Sequence, residues 1–478
     1  MSTLVLDGCA VVTMDGRGSE YATGHVVITD NVITAVGPGS PPLLAAPPAS
    51  LAGTRVSSTG VSSTGASAAN SLGAVRRIDA SGCLATPGLI NTHHHLYQWG
   101  TRGMAADATL FEWLTQLYPV WARMDADVVR VLATAALGWL ARSGCSTTMD
   151  HHYVFPRSGG DLLGATVAAA RQVGLRFHPT RGSMDLGVSA GGLPPDDVVE
   201  DRDAILVASK AAIEEFHDAS PHSMLRIGLA PCSPFSVTGQ LLTDAAELAR
   251  QAGVRLHTHL AETADEDEYC AQHFGCTPVE YLDSLGWLGA DVWLAHAVHL
   301  DDAAITRLAA TGTGVAHCPS SNGRLGAGIC RAHDLLAAKV PVGLGVDGAA
   351  SSEESSLIGE VRQAALIARS AGGPRAMTVR QALEVGTMGG ARLLGRDQEV
   401  GSLEAGKLAD IALWRLDTLP HAGIADPVAA LVLGARPPLE LLLVNGETIV
   451  ERDQLVTVDE GEVTALSRRA SAVLARRG

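Results

Sequence analysis

From residue 81 onward the chain repeats one pattern eight times. A short apolar, β-branched run is followed by a longer Ala/Leu-rich stretch of helical period. The runs are Leu89-Ile90-Asn91, Cys145-Ser146-Thr147-Thr148-Met149, Leu175-Arg176-Phe177, Leu225-Arg226-Ile227-Gly228-Leu229, Val254-Arg255-Leu256, Val292-Trp293-Leu294-Ala295, Thr313-Gly314-Val315-Ala316 and Val342-Gly343-Leu344-Gly345-Val346. The stretches between them, such as 204–216 and 239–252, are long enough to be the crossover helices that parallel strands require. Eight such units close into a parallel barrel. The predicted fold class is therefore α/β, a (β/α)8 TIM-type barrel over 81–399.

The two chain ends read differently. Leu4, Leu6, Ala10-Val11-Val12, Val26-Val27-Ile28 and Val32-Ile33 alternate as strands do, broken at Asp15-Gly16 and Asp30-Asn31. After residue 400 short strands return, with a hairpin signal at Asn445-Gly446. Residues 1–80 and 400–478 are expected to form one small β-sandwich domain, closed by a final helix carrying Arg468-Arg469 and Arg476-Arg477. Residues 39–74 are rich in Pro, Ser, Ala, Thr and Gly and contain VSSTG twice in tandem, at 56–60 and 61–65. Such a composition buries no core, and the segment is expected to be a flexible insertion without function.

Composition removes several classes of function. The net charge of −16 disfavours nucleic acid and anionic membrane surfaces as partners. The N-terminal residues Met1–Asp7 lack the basic start and apolar core of a signal peptide, and no run reaches the ~18–20 apolar residues of a spanning helix. The 8 cysteines are scattered without a CxxC pair, which suggests reduced thiols in a cytoplasmic protein. Pro231-Cys232 has no second cysteine at the spacing of the Cys-ligated nucleobase deaminases. Cys318 shows no sign of activation and reads as core.

The histidines carry the chemistry. Of 17, eleven fall at or just past the C-terminal ends of the proposed strands: His93, His94, His95, His151, His152, His178, His257, His259, His296, His299 and His317. In a β/α barrel those ends line the active-site face. Alternate residues of a strand share a face, so His93 and His95 can point inward together while His94 points away. His257-Thr258-His259 repeats the spacing, and Glu262 follows three residues later. His296 ends the sixth run, and Asp347 ends the eighth, where it could otherwise serve as a helix cap. Three imidazoles, one ligating carboxylate, one free carboxylate and one further imidazole suit a catalytic zinc with a position left open for water.

These residues resemble a known family. Pro87-Gly88-Leu89-Ile90-Asn91-Thr92-His93-His94-His95, the HxxE of His259–Glu262, Leu294-Ala295-His296, Gly345-Val346-Asp347-Gly348 and Gly401–Asp410 look like the amidohydrolase superfamily. The likeness covers nearly the whole chain except 39–74. It points to the aminohydrolase branch, which holds cytosine, guanine and S-adenosylhomocysteine deaminases and the s-triazine hydrolases. Longer strings, including Asp150–Pro156, Thr180–Met184, Gly191–Asp196 and His317–Asn322, look most like the 8-oxoguanine deaminases. One departure is present: after Asp347-Gly348 this chain has Ala349-Ala350-Ser351-Ser352-Glu353 where the relatives have Ser-Ala-Ser-Asn-Asp, in a loop near the substrate.

The resemblance implies one Zn2+ per chain, with Fe2+ the other candidate, on His93, His95, His259 and Asp347. It implies that Glu262, His296 and Asp347 act on substrate and water. The reaction would be hydrolytic deamination of a small heterocyclic ring amidine, 8-oxoguanine to urate and ammonia. Hydrolysis of s-triazines, isocytosine or guanine is the rival, and a binding protein without activity is a more distant one. One triazine hydrolase type lacks the carboxylate that Asp347 supplies here, which favours deamination. A homo-oligomer is expected, although no interface can be read. Candidate substrate contacts are Gln98, Trp113, Tyr153, Arg181 and Asn322. Their plainer readings are a loop residue for Gln98, core aromatics for Trp113 and Tyr153, an ion pair for Arg181 and a turn or cap for Asn322. His152 and His317 are expected behind the ligands.

Overall fold

In the computed structural model, residues 2–41 and 75–476 are described. The insertion expected over 39–74 lies outside them apart from Gly39–Pro41. Eight parallel strands close into a barrel: β1 (Leu89–Asn91), β2 (Cys145–His152), β3 (Arg176–Ser183), β4 (Gly228–Pro231), β5 (Arg255–Leu260), β6 (Val292–His296), β7 (Gly314–His317) and β8 (Val342–Leu344). Each sequence run lies on or beside its strand. β2, β3 and β5 continue beyond the apolar residues through His152, Ser183 and Leu260. Polar residues can occupy these ends because the neighbouring parallel strands still satisfy their main-chain groups, as in the pairing of His152 with Arg181.

The crossovers are helices with local stop and start signals. The helix Gly239–Ala252 is capped by Thr238 and ends at Gly253, whose φ of 68° a side chain would strain. Helices Ala126–Arg142, Leu162–Val173 and Asp302–Thr311 are capped by Asp125, Asp161 and Asp301. Their apolar faces pack on the barrel in one continuous core.

The expected second β domain is built from both chain ends. Its hydrogen bonding forms one continuous nine-stranded sheet, in which Thr3–Val12 and Cys83–Pro87 from one end meet Ile411–Arg415 and Leu439–Val444 from the other. Cys83–Pro87, inside the 81–399 segment expected to be barrel, is thus a sheet strand, and the chain enters the barrel only after Gly88. Asn445 and Gly446, at φ 54° and 81°, make the hairpin turn that their sequence signals.

One buried ion pair ties sheet to barrel. The Arg176 guanidinium on β3 donates to both carboxylate oxygens of Asp410, at 3.1 and 2.9 Å, and Asp410 also accepts the Asn445 N–H at 2.8 Å. Asp410 ends the Gly401–Asp410 string that resembles the family. The final helix, Glu460–Ala475, buries Ala470 and Leu474. Among the described residues no helix is long and apolar enough to cross a membrane, and the eight cysteines are free thiols.

Candidate active site

The site is assembled at the C-terminal end of the barrel. Trp293, fully buried, donates its indole N–H to the Thr92 carbonyl at 2.9 Å and stacks on His257 at 4.6 Å. His257 donates Nδ1–H to the Trp293 carbonyl at 2.8 Å, so its Nε2 is an acceptor, and His93 Nδ1 lies 2.8 Å from it. His93 therefore carries its proton on Nδ1 and turns a bare Nε2 to the cavity side. The same logic applies twice more. His95 Nδ1–H donates to the His151 carbonyl at 2.7 Å, and His259 Nδ1–H to the Cys232 carbonyl at 2.7 Å. Both Nε2 atoms are left as lone pairs only 3.1 Å apart. Asp347 Oδ1 lies 3.2 Å from His93 Nε2 and 3.3 Å from His95 Nε2.

Four lone-pair donors thus converge with no hydrogen between them, and His93 Nε2 is buried without a hydrogen-bond partner. The donor set, three imidazole nitrogens and a carboxylate, fits a divalent cation. Burial holds the His93 and His259 imidazoles well below their usual pKa, hence neutral and able to ligate.

His257, half of the second HxH pair, stands behind His93 rather than among the donors. His151 belongs with the cluster, its ring stacked on His259 at 4.7 Å and its Nε2–H donating to the Ala230 carbonyl at 2.9 Å. Alternation within one strand could not assign His151, because its place is set by pairing between strands. His152, expected behind the ligands, donates to the Val154 carbonyl instead of to a ligand. His317, also expected behind the ligands, leaves its Nδ1 buried without a hydrogen-bond partner.

Glu262 and His296 stand together beside the donors, His296 Nε2 being 3.6 Å from Glu262 Oε2. Burial, with the Asp347 charge added, pushes Glu262 well above the usual carboxyl range. Burial lowers His296. Four non-glycine residues at this end have left-handed backbone: Ala261 (φ 51°), His296 (69°), Ala297 (48°) and Asp347 (60°). Such conformations persist only where surrounding contacts enforce them, and they cluster at functional sites.

The cavity over these residues is lined by His95, Gln98, Trp113, Tyr153, Glu262, His296, Asp347 and Ser351, among others. Trp113 donates its indole N–H to the Ala350 carbonyl at 3.2 Å, and Tyr153 meets His95 edge-on at 5.0 Å. Gln98 is fully buried, and both polar atoms of its amide lack partners. Its packing requires Gly348, where a Cβ would stand 1.8 Å from Gln98 Oε1. A Cβ at Gly345 would likewise meet the His93 Cβ at 2.5 Å. The two glycines that bracket Asp347 are thus both required by close approach.

Two of the five expected substrate contacts lie elsewhere. Arg181 stacks on Phe155 at 3.7 Å and pairs with Glu200 at 2.6 Å, outside the cavity. It is three residues from His178, which sits beside Trp293, so strand alternation turns it to the opposite face. Asn322 Oδ1 accepts from His296 Nδ1 at 3.0 Å and does not line the cavity, so it contacts His296 rather than a ligand.

Sequence reading missed the serines around Asp347. Ser321 Oγ and Ser351 Oγ donate to Asp347 Oδ2 at 2.5 and 3.0 Å. Ser351 lies within the departing string that follows Asp347-Gly348, which was the available signal. Cys232, Ser233, Phe235 and Tyr118 also line the cavity.

Residues 84–449 match the Amidohydrolase family. The chain belongs to that family, and it is a hydrolase acting on C–N bonds. It is 44% identical over 400 residues to the 8-oxoguanine deaminase of Pseudomonas aeruginosa, covering 83% of this chain and 89% of that protein. It is 38% identical over 421 residues to an isoxanthopterin deaminase from an unknown prokaryotic organism, covering 84% and 87%. The structure of the atrazine chlorohydrolase from Arthrobacter aurescens TC1 complexed with zinc matches with a TM-score of 0.87 at 32% identity, over 98% of this chain and 100% of that one.

Proposed function

We propose that the chain is a zinc-dependent deaminase of purine-like ring amidines whose substrate is 8-oxoguanine, converted with water to urate and ammonia. One observation carries this reading. Glu262 beside His296 faces an aromatic-lined cavity next to four lone-pair donors, with an unpartnered Gln98 amide at its edge. The identity with the Pseudomonas 8-oxoguanine deaminase supports the choice of base.

His93, His95, His259 and Asp347 would hold the ion. When bound, a zinc ion supplies Lewis-acid activation of water near neutral pH. The residues then divide the proton transfers. Asp347 accepts the proton of the attacking water, its carboxylate ordered by Ser321 and Ser351. Glu262 gives its proton to the ring nitrogen beside carbon 2, drawing electrons from the C=N bond as water adds. His296, oriented by Asn322, hydrogen-bonds the developing oxyanion. Asp347 returns its proton to the departing amino group, which leaves as ammonia, and the hydroxyl proton left on carbon 2 passes back to Glu262 as the C=O bond forms. Trp113 and Tyr153 wall the flat ring, and Gln98 offers one donor and one acceptor to its edge.

Dechlorination of an s-triazine is the second reading, favoured by the chlorohydrolase match. Retention of Asp347 weighs against it. The test is turnover of 8-oxoguanine against isocytosine, guanine and a hydroxy-triazine by ammonia release, with chloride release from a chloro-triazine in parallel. The expected result is the highest kcat/KM for 8-oxoguanine. A preference for any other compound overturns the choice of substrate, and chloride as the sole product overturns deamination.

A further inference from the structure

The turn that carries Glu262 is held from behind by a second glutamate. Glu266 is fully buried in the first turn of the helix Ala264–Phe274 and does not line the cavity. One of its carboxylate oxygens accepts the Ala261 N–H at 2.9 Å, and the other accepts the Glu262 N–H at 3.1 Å.

The sequence Thr263-Ala264-Asp265-Glu266 reads as an ordinary capping box, in which the glutamate returns to the N–H of the cap residue. Three such sequences in this chain close in that way, at Thr109–Glu112, Thr277–Glu280 and Thr378–Gln381. At 263–266 the threonine makes no side-chain cap bond, and its hydroxyl is buried without a partner. The glutamate instead reaches past the cap to the two residues before it. One of these is Ala261, with left-handed backbone at φ 51°; the other is Glu262. On the opposite side the Ala261 carbonyl accepts the N–H groups of Val298 and His299 at 2.8 and 2.9 Å, just beyond His296. The strained peptide is therefore clamped from both directions, and the clamp on its N–H side is the Glu266 carboxyl group.

We infer that Glu266 is a positioning residue for the proton-donating step: by binding both N–H groups it fixes the backbone that aims Glu262 into the cavity. The inference rests on the role proposed above for Glu262. A helix cap alone would support the fold and leave kcat unchanged. A positioning residue acts on kcat through Glu262 and through no other group.

The test is a cycle of Glu266→Gln, Glu262→Gln and the double variant in the zinc-loaded protein. Glutamine keeps one acceptor and leaves one N–H unpartnered. Zinc content is expected to equal that of the wild type. The kcat of Glu266→Gln is expected to fall about 10- to 100-fold, as displacing a catalytic group by ~1 Å can do, with KM within about threefold. In the Glu262→Gln background the same substitution is expected to lower the residual rate less than about twofold, because coupled residues are non-additive. Equal losses in both backgrounds, parallel loss of zinc and KM, or an unchanged kcat for Glu266→Gln would each overturn the inference. If Glu266→Gln does not fold, Glu266→Asp keeps both oxygens on a shorter arm. It should then show an intermediate kcat at unchanged KM, and wild-type kcat there also overturns the inference. Wild-type turnover by Glu262→Gln is a separate outcome, which removes the proposed role of Glu262 itself.

Discussion

His257 touches no substrate and offers no ligand, yet it decides which nitrogen of His93 is free. Its Nδ1–H is committed to the Trp293 carbonyl at 2.8 Å, so its Nε2 can only accept, and it accepts the His93 Nδ1–H at 2.8 Å. Both rings are fully buried, and no water can take over either bond. In His257→Phe the His93 Nδ1–H becomes a buried donor without an acceptor, at a cost of about 1–3 kcal/mol. The ring can escape by moving its proton to Nε2, but that consumes the lone pair the cation requires. Either route weakens binding. Removing such an outer partner typically costs about 10–100-fold in metal affinity. At about 1.4 kcal/mol per decade this is about 1.4–2.8 kcal/mol, in agreement with the cost of the unpaired donor. The assay is competition between apoprotein and a chromophoric zinc chelator at fixed pH, with folding checked by circular dichroism. His257→Gln keeps an acceptor on a side chain of similar reach and should recover part of the loss. A folded His257→Phe protein that binds zinc within about twofold of the wild type refutes the tautomer chain.

Further perturbations test other parts of the structure. Glu262→Gln should retain zinc and lose turnover by about 100-fold or more, the scale of general acid catalysis; steady-state ammonia release reads it, and a near wild-type rate contradicts the role. Asp410→Ala leaves the Arg176 guanidinium buried without its partner and should lower stability by about 3–5 kcal/mol in denaturant titration; a loss below about 1 kcal/mol would mean that the pair does not tie sheet to barrel. Burial pushes the Glu360 carboxyl up to about 8, while it accepts the Ser320 N–H. The folded state then keeps this proton at pH values where the unfolded chain has released it, so stability falls as pH rises from about 4.5 towards 8 and levels off above. Melting temperatures across that window should decline less steeply for Glu360→Gln than for the wild type, and parallel curves contradict the assignment.

Much of this was legible in the sequence because barrels impose repetition. Eight apolar runs separated by helical stretches gave the architecture, and two-residue alternation brought His93 and His95 together. Strand lengths were less legible. His178-Pro179-Thr180-Arg181 does not look like strand, yet pairing on both sides carries β3 to Ser183. Facing was legible only relative to a residue of known direction, and this is why Arg181 was placed in the cavity while it pairs with Glu200. Asn322 was placed near the chemistry, but its role follows from a contact between the short helix Pro319–Arg324 and the end of β6 that spacing cannot reveal. The same holds for Ser321, Ser351 and Glu266. Ser321 and Ser351 bond the Asp347 carboxylate, Glu266 bonds the backbone of Ala261 and Glu262, and Glu266 hides within a sequence that imitates a helix cap.

The central claim is that the four donors and Glu262 together perform a metal-dependent deamination. The most direct measurement follows ammonia and urate formed from 8-oxoguanine by the zinc-loaded protein, by the chelated apoprotein and by apoprotein given zinc again. The expected result is one ammonia per urate, abolished by chelation and restored by zinc. Equal rates in the loaded and metal-free protein, or consumption of 8-oxoguanine without ammonia, would contradict it.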